Sequence, residues 1–519
     1  MIKIILDLII VLAIVTILMD LIKPNISEAN AERTRWLALY VLCAGMLMIV
    51  LDATIVNVAL PSIQDSLGFS QSSLAWVVNA YLIAFGGLLL LAGRLGDLVG
   101  RRRIFMIGLT IFTAASLLCG LAQSEAMLVG ARFIQGLGGA MTSAVILGMI
   151  VTMFREPREQ AKAIGVYSFV ASAGGSIGLL AGGVITEAIN WHWIFIVNLP
   201  IAIVTGVLAA SLIEKDEGIG FGQGADVLGA ALIVASLMLG VYTIVEASNY
   251  GWASAHTLGF GAAAVGLLGG FIRREATAAN PLMPLRLFRS RNTSGANLIQ
   301  ALMVAGMFGM FFLGALYLQR VLGFTALEVG LAFLPVTALI GTLSLGFSAR
   351  LNMRFGARAT LVPGLVLIAL GLVYLARVPV DGAYLADVLP SMLLFGAGAG
   401  LSFPSLMTLT MSGVPEDEAG LASGLVNTTL QVGGAIGLAI LATLSTTRTD
   451  SLVAAGHSQA SALTDGYHLA FTVGAVLVAT AIGVALTVLE PARGAEQEAQ
   501  QEAEVEHLRR EEPAYSEAA

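Results

Sequence analysis

Charge is what this sequence has least of. Only 12% of its 519 residues are Asp, Glu, Lys or Arg, about half the roughly 25% of a soluble domain. That scarcity, with 57% hydrophobic residues and a mean hydropathy of +0.87, excludes an ordinary soluble fold. Cysteine is nearly absent too: Cys43 and Cys119 both sit in apolar runs, so no disulfide framework is implied. No GxxxxGK[ST] phosphate loop occurs, which argues against an ATP-driven pump. Metal-ligand clusters and a nucleophile elbow are missing as well, so neither an enzyme nor a resident cofactor is expected. Nothing points to nucleic acid. Alternating ten-residue strands are lacking, which excludes a membrane β-barrel and leaves helices to satisfy the backbone in lipid.

What is present is a succession of apolar runs of about 20 residues, each long enough to cross a ~30 Å hydrocarbon core. Spans are expected near 37–60, 73–93, 104–122, 127–152, 162–186, 193–213, 225–246, 256–272, 294–318, 327–348, 358–376, 385–411, 419–444 and 467–489. Basic residues crowd alternate loops: Arg101, Arg102 and Arg103; Arg155, Arg158 and Lys162; Arg273, Arg274, Arg286, Arg289 and Arg291; Arg350, Arg354 and Arg358. The loops between them carry only Arg320, Arg377 and Arg448. The positive-inside rule makes the basic loops cytoplasmic, and fourteen spans then put both termini inside a cell membrane.

The formal charge of −7 is mostly the tail from Pro491, whose eight Glu and three Arg contribute −5. Residues 490–519 therefore read as an acidic cytoplasmic tail, frayed or disordered. The first 27 residues are Ile- and Lys-rich, with two of the four lysines. Only twelve uncharged residues separate Asp7 from Asp20. An extra helix, an interfacial helix and an upstream translation artefact all stay open, while Asp7 argues against a cleaved signal peptide.

The two halves of the chain resemble each other at a separation of about 256–260 residues. Gly174-Gly175-Ser176-Ile177-Gly178-Leu179 matches Gly433-Gly434-Ala435-Ile436-Gly437-Leu438; Gly165 maps onto Gly424, Gly136 and Gly138 onto Gly396 and Gly398, and Gly100 onto Gly356. The resulting division is a lead-in at 1–35, a six-helix bundle at 36–213, two inserted helices at 214–293 and a second six-helix bundle at 294–489. A binding site at the interface of paired bundles is a recurring transporter design.

Four motifs carry chemistry. Asp52, in Leu51-Asp52-Ala53-Thr54-Ile55-Val56-Asn57, is a carboxylate inside an apolar span, an expensive placement that points to function. It could bind protons or a cationic substrate, or be a structural carboxylate paired with a neighbour. Gly93-Arg94-Leu95-Gly96-Asp97-Leu98-Val99-Gly100-Arg101-Arg102-Arg103 reads as a tight hairpin, its glycines permitting the turn. Arg132 and Gln135 lie in Arg132-Phe133-Ile134-Gln135-Gly136, where the arginine needs a partner or a watery cavity. Counting from the loops puts Asp52 and Arg132 in the same outer half, so a direct or water-mediated pair is expected. Gly174, Gly178, Gly182 and Gly183 repeat at spacings that let helices pack closely.

These motifs together resemble the major facilitator superfamily, and within it the fourteen-helix drug:proton antiporters. The resemblance implies an all-α membrane protein exporting small amphipathic or hydrophobic compounds by alternating access, with protons as the coupling ion and no other cofactor. It implies proton coupling for Arg132 and a conformational latch for Gly93, Asp97, Gly100 and Arg101. Two departures stand out: Leu179 replaces the antiporter signature's proline, and Met353 and Met392 replace Asp97 and Arg132 in the second half. A metabolite importer or facilitator on the same fold, or a non-transporting sensor, are the competing readings. Asn297 with Gln300, and Asn427 with Gln431, share helix faces and are candidates either for a cavity wall or for interhelical packing. The partners expected are a small-molecule substrate and membrane lipid, for a monomeric protein.

Overall fold

The computed structural model describes residues 28–490 except 217, 219, 221–223, 284 and 413–418. The N-terminal apolar segment and the acidic tail discussed above lie outside the described residues.

The described chain is helical throughout. We label the helices α1 (Glu28–Leu67), α2 (Trp76–Val99), α3 (Arg101–Gly120), α4 (Glu125–Met153), α5 (Pro157–Ala188), α6 (Trp193–Ile196 running into Asn198–Leu212), α7 (Val227–Tyr250) and α8 (Ala255–Thr277). The second half has α9 (Arg291–Arg320), α10 (Ala326–Thr342, prolonged through Leu343–Phe347 and Ser348–Phe355), α11 (Ala357–Leu375), α12 (Leu389–Met411, entered through Tyr384–Val388), α13 (Ala419–Ala454) and α14 (Gln459–Thr487). Twelve of them are long and apolar enough to cross a membrane; α5 and α10 contribute shorter apolar stretches at Ile177–Ala188 and Ala326–Thr342. The protein is therefore a multi-pass membrane protein.

Local sequence explains where many helices begin. The side chains of Ser124, Asp226, Ser254, Ser290 and Ser458 each accept a hydrogen bond from the amide three residues on, at the starts of α4, α7, α8, α9 and α14. Thr325 and Glu328 form a reciprocal capping box at the start of α10. Helix lengths exceed the expected spans chiefly at one face. There α1 continues to Leu67, α13 to Ala454, and α14 starts at Gln459. Apolar runs mark only the lipid-crossing part, so the polar helical extensions escape a hydropathy reading.

The sequence repeat reappears as a repeat of packing. A β-carbon on Gly138 would lie 2.4 Å from Phe112 N and 2.8 Å from Gly108 O, and one on Gly398 would lie 2.4 Å from Gly364 O and 2.8 Å from Ile368 N. The α3–α4 and α11–α12 pairs thus touch through positions 256–260 residues apart. Likewise α5 meets α1 through Gly174 and Gly178 against Leu47 and Leu51, and α13 meets α9 through Gly433 and Gly437 against Ala301 and Ala305. Small residues at these points let backbones approach closely, which is how helices associate where lipid removes the hydrophobic drive. Helix α7 packs on α2 and α13, beside the seam between the halves, and α8 packs on α7.

Candidate functional site

Two features of the first half concentrate polar groups in this apolar molecule. Deep in the protein, Asp52 from α1 and Arg132 from α4 are 0% and 1% exposed. Arg132 Nη1 donates to Asp52 Oδ2 at 2.6 Å and to Gln135 Oε1 at 2.7 Å. Gln135 Nε2 donates to the other carboxylate oxygen at 2.7 Å and to Ser116 Oγ at 2.8 Å. Asn198, at the head of the longer part of α6, donates to Asp52 Oδ1 from Nδ2 at 2.9 Å. The guanidinium is further held by Val77 O, 2.9 Å from Nε, and lies 4.3 Å from the Tyr81 ring centroid and 5.7 Å from that of Phe195.

The side-chain donors of the cluster converge on the two oxygens of Asp52, while Asn198 Oδ1 is buried without a partner. A carboxylate accepts from three donors on α4 and α6, and the arginine has a carboxylate, an amide oxygen, a carbonyl and two ring faces. Isolated charges would be very costly at this depth, so each holds the other in place. A proton on Asp52 would cancel half of the ion pair, while Val77 O, Gln135 Oε1 and Tyr81 would still receive Arg132. Five helices or their ends, α1, α2, α3, α4 and α6, converge here. A change of charge at one carboxylate therefore reaches most of the first-half helices.

The second feature is the α2–α3 turn. Gly100 has φ +108°, a conformation that needs glycine, and a β-carbon there would come within 2.8 Å of Asp216 O. Gly93 lies within α2 instead, and a β-carbon there would meet nothing within 4 Å; the expected turn role is not its own. Asp97 pairs with Arg101 at 3.1 Å, and Arg101 Nη1 reaches across to Gly148 O of α4 at 3.0 Å. At this turn the residue that sequence reasoning missed is Asp216, after α6, as it missed Asn198 in the buried cluster. Its carboxylate accepts from the backbone amides of Arg101 and Arg102, capping α3 from 115 positions away. The signal was present only as an acidic residue in a loop, and distance in sequence hid its partner.

Other candidates are dispersed. Asn57 donates only to its own helix, at Ala53 O and Thr54 O. Asn297 accepts from Thr429 Oγ1, and Gln300 donates to Val426 O, so this pair ties α9 to α13 rather than forming a cavity wall with the other pair. Asn427 is exposed and bonds Ser423 O, while Gln431 sits at the seam, its Cβ 2.7 Å from where Gly86 would carry one. Gly174, Gly178 and Gly182 face α1, and Gly183 faces α10 across the seam, where a β-carbon on it would lie 2.7 Å from Ala326 O. Leu179 is buried in an α5 that runs from Pro157 to Ala188.

The face opposite the basic loops carries bonds between the halves. Arg320, ending α9, contacts Asp65 Oδ1 at 2.5 Å, Gln64 Oε1 at 3.2 Å and Pro61 O at 3.3 Å on α1. Gln319 Nε2 donates to Val58 O at 3.0 Å, and Glu187 of α5 accepts from the Leu327 amide at 3.3 Å. The two halves are thus fastened together on that face.

The match to known proteins is extensive. The Major Facilitator Superfamily domain covers residues 42–438. The chain belongs to the Major Facilitator Superfamily. Puromycin resistance protein pur8 of Streptomyces alboniger is 38% identical to this transporter over 475 residues, spanning 89% of this chain and 93% of that protein. Cephamycin export protein CmcT of Amycolatopsis lactamdurans is 38% identical over 426 residues, 80% of this chain and 86% of its own. Multidrug resistance protein Stp of Mycobacterium tuberculosis is 36% identical over 411 residues, 79% and 76% of the two chains. Among solved structures, a bacterial homologue of the human lysosomal transporter Spinster superimposes with a TM-score of 0.65 at 17% identity, over 88% of this chain and 97% of that one. The transporter is not an enzyme, and its relatives act on small molecules.

Proposed function

We propose that this transporter exports small amphipathic or hydrophobic compounds, antibiotics among them, in exchange for protons moving inward across the plasma membrane. In this reading the chain makes fourteen spans, with bundles at 36–213 and 294–489 and the inserted pair at 214–293. The basic loops and both termini are cytoplasmic, and the protein works as a monomer surrounded by lipid. The relatives named for puromycin resistance, cephamycin export and multidrug resistance support export over import.

The observation that carries the coupling is the buried Asp52–Arg132–Gln135 cluster. A proton arriving at Asp52 Oδ neutralises the carboxylate and releases its hold on Arg132, which turns to Val77 O, Gln135 Oε1 and the Tyr81 face. Loss of that pair loosens α1 from α4 and biases the first bundle against the second. Return of the proton to the cytoplasm restores the ion pair. Protons are the only coupling species required, with no resident cofactor.

The test is a drug-efflux assay in cells lacking their own pumps, with and without a protonophore. The proposal expects accumulated puromycin or a dye substrate to fall only while the proton gradient stands, and expects Asp52→Asn to abolish that fall with the protein still in the membrane. Gradient-independent movement in both directions would establish the facilitator reading instead.

A further inference from the structure

A cavity of about 660 Å³ lies outside the polar cluster, where the inserted helices meet the first bundle. The first bundle supplies Phe69, Trp76 and Glu125, and α7 supplies Met238 and Tyr242; the lining is apolar except for the Glu125 carboxylate and a few hydroxyls. Its volume is that of a drug-sized site. It lies in the half of the membrane away from the basic loops. Leu267 of α8 closes one side of it.

Glu125 is what makes this more than a packing gap. The cap of α4 is supplied by Ser124, which accepts from the Met127 amide, and Glu125 adds only a first-turn charge. Its side chain lines the cavity beside Ser73. Among the described residues no cation forms an ion pair with it, and no Lys, Arg or His lines the cavity. A carboxylate without a countercharge at the edge of an apolar, aromatic-lined pocket is complementary to a lipophilic cation: charge against Glu125, rings against Trp76, Phe69 and Tyr242. An anionic lipid headgroup would find no partner there.

We infer that this cavity is a second binding site, separate from the seam between the bundles, for an amphiphilic organic cation residing in the outer leaflet. Its placement in the outer leaflet rests on the orientation proposed above; the site itself does not. An exporter with such a site can hold its substrate class after release or sense its accumulation in that leaflet.

The experiment measures equilibrium binding of radiolabelled tetraphenylphosphonium to the purified full-length protein in nanodiscs, with triphenylphosphine oxide as the neutral comparison. Loss of a charge-assisted contact predicts that Glu125→Gln weakens tetraphenylphosphonium binding about tenfold and leaves the neutral compound unchanged. Ala126→Trp, at an exposed position lining the cavity, should weaken both by filling the space, and each variant must elute as a single folded species. Binding is read without a gradient or transport, so failure of the export reading leaves this result interpretable. No binding to the unmutated protein, a change under twofold in Glu125→Gln, or equal losses of charged and neutral ligand would each overturn the inference.

Discussion

Replacing Asp52 by asparagine is the sharpest perturbation the structure offers, because the two side chains have the same shape. In the native cluster Oδ2 accepts from Arg132 Nη1, and Oδ1 accepts from Gln135 Nε2 and Asn198 Nδ2. Every one of these neighbours is a donor. An asparagine has one accepting oxygen and one donating nitrogen, so one of its ends must face a donor whichever way it is turned. Arg132 would also be left 1% exposed without its countercharge. Removing one partner of a buried pair costs about 3–5 kcal/mol. Val77 O, Gln135 Oε1 and the Tyr81 ring remain for the arginine, which places the expectation at the lower end, about 3 kcal/mol. A shift of that size is roughly a hundredfold in the unfolding equilibrium. The assay is reversible unfolding in mixed micelles for Asp52→Asn, Arg132→Gln and the double variant. Because the double variant carries no unpaired charge, the two losses should be strongly non-additive, with a coupling energy of about 1–3 kcal/mol. Losses that add to within about 0.5 kcal/mol would refute the claim that these residues sustain one another.

Arg320→Ala should loosen the fastened face. Its ion pair is half-exposed and worth only about 0–1 kcal/mol, so stability should barely change. Alkylation of a cysteine placed at Ser62, half-buried on α1 between Val58 and Asp65, should nonetheless quicken several-fold, and the swap Asp65→Arg with Arg320→Asp should restore protection. Gly138→Ala forces a β-carbon to 2.4 Å from Phe112 N and should destabilise by about 1–3 kcal/mol, read as a lowered thermal midpoint. Gly165→Ala, with nothing within 4 Å, should leave that midpoint unchanged. Asp216→Ala removes the acceptor for two amides at the start of α3 and should cost about 0.5–2 kcal/mol, the size of a lost helix cap; Asp216→Asn should recover part of it.

Much of this site was legible because charge inside lipid is rare enough to be conspicuous. Asp52 and Arg132 stood out from their spans, and counting from the loops placed them at one depth. Gln135 came with the Arg132 motif, three residues along the same helix. Asn198 did not stand out, since an asparagine at the head of a helix looks like an ordinary cap, and its contact with Asp52 crosses 146 residues. Asp216 was hidden for the same reason. The glycine repeat marked where helices come close, because close backbone approach demands small residues at fixed spacing, but which helices meet there was not legible from it. Polarity alone could not say which way a side chain faces: Asn297 and Gln300 turn to α13, while Gln431 turns to the seam. Helix ends at the fastened face were understated, because Arg320 and Asp65 lie on polar turns beyond the apolar runs that reveal a span.

The central claim is that protonation of one carboxylate moves the two halves. It is tested most directly by spin labels at Ser66→Cys and Ser451→Cys, on opposite halves of the fastened face, with the native Cys43 and Cys119 buried. Distance distributions are recorded from acid to alkaline pH in nanodiscs, without substrate. The account predicts a pH-dependent shift between two separations in the Asp52 protein, and one pH-independent distribution in Asp52→Asn. An undiminished pH response in Asp52→Asn, or none in either protein, would contradict it.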